Sequence, residues 1–175
     1  MILYHYTAAE NFSKIVTSNE LLVSPFVKTL DIIERNFYLK VKRFIKNVPI
    51  DAYISFSTEN NCALWELYGD NYRGLRISFD LEKLKKNNPG IIIDTGTVTY
   101  CTMADIDKQY NKTLLPYIKG SQIDWIDDIK PCLLVKSIHY DFDNEYRFLI
   151  DSSKQKFLNI NNCITEITTY KQVSS

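Results

Sequence analysis

Between residues 53 and 70 the chain changes its hydrophobic period. Residues 53–57 alternate, with Ile54 and Phe56 on one face and Tyr53, Ser55 and Ser57 on the other, the pattern of a half-buried strand. From Asn60 the spacing turns helical, with Leu64, Trp65 and Tyr68 about a turn apart; Thr58 is the expected N-cap, Glu59 suits the first turn and Gly69 the stop. Two hydroxyls at the end of a strand, followed by a helix carrying Trp and Tyr, predict the floor and wall of a ligand cleft.

The same patterning organises the rest of the chain. Residues 1–6 predict a short strand, and Thr7 with Glu10 predicts a capping box opening a helix that ends near Asn19. His5 is then expected at a strand end beside unpaired helical N–H groups, a place to hold an anion or a polar ligand. Residues 21–26 read as extended and broken at Pro25. Residues 29–47 read as a helix burying Leu30, Ile33, Phe37, Val41 and Phe44 and carrying Arg35, Lys40, Lys42, Arg43 and Lys46 on its other face.

A turn at 70–74 leads into a strand at 75–79, with Arg76 and Ser78 on its polar face, and a short helix from 80 or 81 stops before Asn88. Strands are expected at 91–93 and 97–101, and helices at 102–117 and 121–130, the second broken by Pro131. The last strands fall at 145–150, 157–160 and 164–170. In the first of these, Glu145 and Arg147 share the polar face, and Tyr146 and Phe148 the apolar one. With no repeat, low-complexity tract or linker, residues 1–175 read as one α+β domain: two small, twisted, mostly antiparallel sheets with helices around a cleft.

Composition narrows the function classes. Lys plus Arg and Asp plus Glu are both 21, so no net charge draws the chain to a polyanion. The basic face of residues 29–47 therefore reads first as a solvated helix face and second as a contact for nucleic acid or an acidic partner. Cys62, Cys101, Cys132 and Cys163 are widely spaced, which predicts a reduced, cytoplasmic protein and no zinc site. No leader or long apolar run predicts a membrane association.

Phosphate loops, nucleophile elbows and paired metal-binding histidines are missing from the sequence. The candidates form a dispersed set: His5, Ser55, Ser57, Trp65, Tyr68 and Glu145. A polar donor, aromatic stacking surfaces and one carboxylate suit cleavage of an N-glycosidic bond to a cationic leaving group, with the carboxylate steadying charge on the ribose. Each residue also has an ordinary alternative. His5 reads equally as a structural histidine, Trp65 and Tyr68 as core, the two serines as the polar face of an edge strand, and Glu145 with Arg147 as a surface ion pair.

The pieces Leu3-Tyr4-His5-Tyr6-Thr7, Ile54-Ser55-Phe56-Ser57, Trp65 with Tyr68-Gly69-Asp70, Ile77-Ser78-Phe79-Asp80, Val98 with Tyr100, and Lys136 leading to Asn144-Glu145-Tyr146-Arg147 recur in order along nearly the whole chain. By them the sequence resembles the bacterial family catalogued as domain of unknown function 2971. Where that family carries an Asn-Asp-Pro-like loop, this chain runs from Pro25 straight into Phe26-Val27-Lys28.

The layout is also similar to that of ADP-ribosyltransferases, and Tyr4 to Thr7 to the opening of DNA-modifying toxins of that type. That resemblance implies an NAD-consuming toxin or phage-defence effector acting on a macromolecular acceptor or hydrolysing NAD. It implies His5 and Thr7 on the NAD side, Ser55 and Ser57 at the nicotinamide ribose, Trp65 or Tyr68 (with Tyr53 as rival) stacking on nicotinamide, and Glu145 as the catalytic residue. A non-catalytic module using the cleft or the basic helix 29–47 is the alternative.

Overall fold

A computed structural model of the chain describes residues 1–29, 31–44, 49–119 and 128–170. The strands are β1 Ile2–Thr7, β2 Glu20–Leu22, β3 Ser24–Pro25, β4 Ala52–Ser57, β5 Leu75–Asp80, β6 Ile92–Thr97, β7 Thr99–Cys101, β8 Val135–Ser137, β9 Glu145–Ile150, β10 Phe157–Asn159 and β11 Ile164–Thr169. The helices are α1 Ala9–Ser18, α2 Ile32–Phe44, α3 Cys62–Leu67, α4 Leu81–Asn87, α5 Met103–Ile118 and α6 Lys130–Leu133, with 3-10 segments at Phe26–Lys28 and Ile138–Asp143.

The mixed α+β, mostly antiparallel architecture read from the sequence is what forms. The main sheet runs β11-β5-β1-β4-β9-β6 with β3 beside β4; β2 pairs with β10, and β7 with β8 in parallel.

Both faces of the main sheet are covered. On one, Leu3, Ile54, Phe56, Ile77, Phe79 and Phe148 form a core closed by Leu81 and Leu84, with Phe12 and Ile15 of α1 packed against it. On the other, Leu149 meets Phe37 and Val41 of α2, Ile106 and Leu114 of α5 and Leu133 of α6. A third cluster joins Tyr6 to Leu64 and Trp65. Strands β1 and β5 are in register from Ile2–Asp80 to Thr7–Leu75, and β4 and β9 from Ala52–Ile150 to Ser57–Glu145. By contrast β1 and β4 are in register at Tyr4–Ser57 alone, so the sheet parts along this seam.

Local signals account for many of the boundaries. Asn19, in the left-handed region at φ 55°, ends α1; Asp80 caps α4 by accepting the Lys83 N–H; Thr102 caps α5 by accepting that of Asp105. Two expected caps are displaced. Thr7 remains in β1 opposite Leu75, and α1 starts at Ala9 with no side-chain cap, so Thr7 and Glu10 form no capping box. The Thr58 hydroxyl donates to the Asn144 carbonyl instead, and Asn61 caps α3 by accepting the Ala63 N–H.

Pro131 does not break a helix but sits in the first turn of α6, where its missing N–H costs nothing. Of the helix expected at 121–130, residues 120–127 lie outside the described residues, as do Leu30, Lys46 and the side chain of Phe44. Gly74 is held where a Cβ would come 2.3 Å from the Thr7 carbonyl oxygen, so the turn between α3 and β5 closes directly onto the end of β1. Among the described residues no helix is long and apolar enough to cross a membrane.

Candidate active site

The seam between β1 and β4 opens into a cleft of about 860 Å³, within the range of roughly 300–1,000 Å³ usual for small-molecule sites. His5, Ser55, Ser57, Tyr68 and Glu145 all line it, and Tyr53 does too. They arrive from β1, β4, the end of α3 and β9. Cross-strand register explains the meeting: Ser57 stands opposite Glu145 and Ser55 opposite Arg147, so the two serines and the carboxylate share one face.

Glu145 is buried, with 3% of its surface exposed, and each of its oxygens is engaged. The Ser55 hydroxyl donates to Oε1, and Arg147 Nε donates to the same oxygen at 2.7 Å. Lys136 Nζ donates to Oε2 at 3.2 Å, and the Glu145 backbone N–H donates to the Tyr100 hydroxyl at 2.8 Å. Burial alone would push this carboxyl up, but the charges of Arg147 and Lys136 outweigh it and hold the group down at about 2. At neutral pH it is an ionised carboxylate in a water-poor site.

Arg147 is the organising cation. It is 1% exposed, pairs with Glu34 of α2 as well as Glu145, donates to the Leu133 carbonyl at 2.7 Å, and lies 4.6 Å from the centroid of the Tyr53 ring. The ion pair of Glu145 and Arg147, whose ordinary alternative was a surface pair, is therefore a buried one. An alternating strand reads as half-exposed, whereas α2 and α6 cover the second face of β9.

Lys136 adds a second set of contacts, at 2.7 Å from Asp143 Oδ2 and 4.8 Å from the Tyr140 ring centroid. Burial would lower its pKa, but Glu145 and Asp143 hold it above the ordinary lysine range. Burial pushes Asp143 up against the pull of Lys136, and Glu34 up against that of Arg147. Three acidic side chains thus face two cations, and all three line the cleft. The sequence reading overlooked Glu34 and Asp143 as site residues and noted Lys136 only as part of the family pattern. A signal existed for Glu34, a lone acid one position after Ile33 on the apolar side of α2.

The remaining candidates divide. His5 lies within β1 rather than at its end, opposite Ile77 and with its ring 6.2 Å from that of Phe56. It approaches the cleft from the apolar face, across the seam from Glu145. Burial depresses its imidazole to about 4 against a hydrogen bond with the Ser55 backbone, so it is neutral at pH 7. The Ser57 hydroxyl donates to the Glu59 carbonyl at 2.9 Å.

Tyr68 ends α3 with 49% of its surface exposed and its hydroxyl 3.5 Å from Asp143 Oδ1. Trp65 is 3% exposed and lies in the third cluster; its indole N–H donates to Asn60, and its ring packs edge-on to Tyr6. Neither Trp65 nor Thr7 lines the cleft.

Residues 64–148 match the family described as "Protein of unknown function (DUF2971)". The match spans Tyr68, Lys136, Asp143, Glu145 and Arg147, while His5, Glu34 and the two serines lie before it. No curated protein and no solved structure matches the chain.

Proposed function

For a chain whose residues 64–148 match the DUF2971 family, we propose an NAD-consuming enzyme of the ADP-ribosyltransferase type, which transfers ADP-ribose to a macromolecule or hydrolyses NAD. The supporting observation is that His5, Ser55, Ser57, Tyr68 and Glu145, far apart in sequence, border one cleft around a buried, ionised carboxylate.

In this reading Tyr68 stacks on nicotinamide, because its ring is open to the cleft. Tyr53 already has the Arg147 guanidinium over one face and its hydroxyl on Thr29, and Trp65 is enclosed. Ser55 and Arg147 hold Glu145 in place. Neutral His5 offers a hydrogen bond to the ligand without adding charge where positive charge must develop.

The bond from the ribose anomeric carbon to the nicotinamide nitrogen breaks, and its electron pair neutralises the ring as it leaves. Glu145 steadies the oxocarbenium character of the sugar and orients the attacking hydroxyl, whose proton is released as the new bond to the anomeric carbon forms. Such an enzyme works in the cytoplasm, where NAD is abundant, as a toxin or phage-defence effector.

The test is nicotinamide release from NAD by the purified protein. Glu145→Gln should abolish release while the circular dichroism spectrum stays native; equal release by that variant would remove Glu145 from the mechanism.

A second reading, a non-catalytic module using the same cleft or the basic face of α2, is favoured by one observation: both Glu145 oxygens already have partners within the chain. It expects no nicotinamide release, and a binding partner lost on changing the exposed Lys40, Lys42 and Arg43.

A further inference from the structure

The two ends of the cleft differ in charge. Toward the Ser57 end of β4, Lys136 is tied to Asp143 and Glu145; farther along, opposite Ser55 and over the Tyr53 ring, Arg147 is tied to Glu145 and Glu34. Near the Tyr53 end, the cleft is bordered by Lys28 and Lys156, and neither makes an ion pair among the described residues.

The chain brings these two lysines to the same end by separate routes. Ser24 of β3 stands opposite Tyr53, and the segment continues through Pro25 into Phe26–Lys28. The Lys156 carbonyl accepts the Val23 N–H at 3.1 Å, which sets residue 156 beside the start of that segment. The acids around this end are engaged: Asp31 Oδ1 accepts the amides of Ile33 and Glu34, Glu34 accepts the Thr29 hydroxyl and pairs with Arg147, and Asp51 accepts both the N–H and the hydroxyl of Ser152. Along β4, Tyr53 and Ser57 are four residues apart, about 14 Å at ~3.4 Å per residue.

From this polarity we infer that the Lys28–Lys156 end of the cleft is a diphosphate subsite. It would take the phosphates of a ligand whose flat, electron-poor ring lies against Tyr68 and the carboxylates at the other end. The inference rests on the reading of the cleft as a dinucleotide site and deepens it by fixing the ligand's direction. Lysine suits this role because a mobile ammonium on a long stem meets a phosphate as a point charge and needs no fixed fork geometry. A reversed ligand would put its phosphates where Lys136 is already bound to Asp143 and Glu145, with no free ammonium to meet them.

The experiment is calorimetric titration with ADP-ribose, which carries the diphosphate but no scissile nicotinamide bond, so binding is read without turnover. Wild-type protein should bind it with an affinity that falls as salt rises. The double variant K28A/K156A should bind about tenfold more weakly, the order expected for two exposed charge pairs, and with a flatter salt dependence. K154A is the control: Lys154 is exposed, pairs with Asp151 and lies outside the cleft, so it should bind as wild type does.

Unchanged affinity in the double variant, or an equal loss in K154A, overturns the subsite. No binding by wild type overturns the dinucleotide reading and the subsite with it. Lysine-dependent ADP-ribose binding without nicotinamide release from NAD keeps the subsite and rejects the enzymatic reading.

Discussion

On one side of β9 lie Tyr146, Phe148 and Ile150; on the other lie Glu145, Arg147 and Leu149. Apart from the half-exposed Tyr146, the two rows are equally buried, yet they are held by different physics. Phe148 and Ile150 need only apolar neighbours, and several arrangements of Ile54, Phe56 and Phe79 would supply them. Arg147 instead requires particular partners: Glu145, Glu34, the Leu133 carbonyl and the Tyr53 ring.

A well-packed apolar layer of similar volume would hold a strand about as well as such a network, because desolvation offsets most of the attraction between buried charges. What the charged side contributes is the placement of an ionised carboxylate on the cleft. One strand thus supplies the core with its apolar row and the candidate chemistry with its polar one.

The largest test of this comparison pairs neighbours on opposite faces. Phe148→Ala should cost about 3–5 kcal/mol of stability at neutral pH through the cavity it leaves. Arg147→Met should cost a similar ~3–5 kcal/mol by stranding Glu145 and Glu34 without their cation. Urea denaturation measures both. The two should then separate on acidification, since protonation relieves stranded carboxylates but cannot fill a cavity. Identical responses to pH would mean that the faces are held in the same way.

A second test uses titration windows. Glu145 is held down from 4.5 to about 2 in the folded protein, so the unfolded chain binds its proton first. Its contribution is fully present above about 4.5 and is lost as pH falls toward 2. At about 1.4 kcal/mol per pH unit the loss is roughly 3 kcal/mol. His5, on the opposite face, is depressed from 6.5 to about 4. It too loses stability as pH falls, in the higher window between 6.5 and about 4. Stability measured against pH should lose the upper step in His5→Leu and the lower step in Glu145→Gln. Loss of both steps in either variant would show that the two groups titrate as one unit.

The smallest effect belongs to an ion pair with no such burial. Arg73 and Asp70, 3.1 Å apart and both exposed, should contribute little, so Arg73→Ala should shift stability by no more than about 0.5 kcal/mol. A cost approaching that of Arg147→Met would mean that proximity of charges, rather than their burial, sets the energetics.

Hydrophobic period alone located β4, β5, β9 and α5, and put Ile54 and Phe56 on the face opposite Ser55 and Ser57, because a strand's two faces are written in a period of two. The stop at Asn19 and the start of α4 at residue 80 or 81 were legible for the same reason: their chemistry acts within a few residues. The Thr7 and Thr58 caps were misread because both hydroxyls have suitable local spacing, while strand pairing with Leu75 claims the first residue and the Asn144 carbonyl the second.

The burial of Glu145, its grip by Lys136 and Arg147, the role of Glu34 and the enclosure of Trp65 were decided by tertiary structure. Each depends on which elements lie side by side: β4 between β1 and β9, and α2 and α6 over the second face of the sheet. Charge pairing and desolvation act through space between residues as many as 113 positions apart, as for Glu34 and Arg147, and leave no periodic trace along the chain.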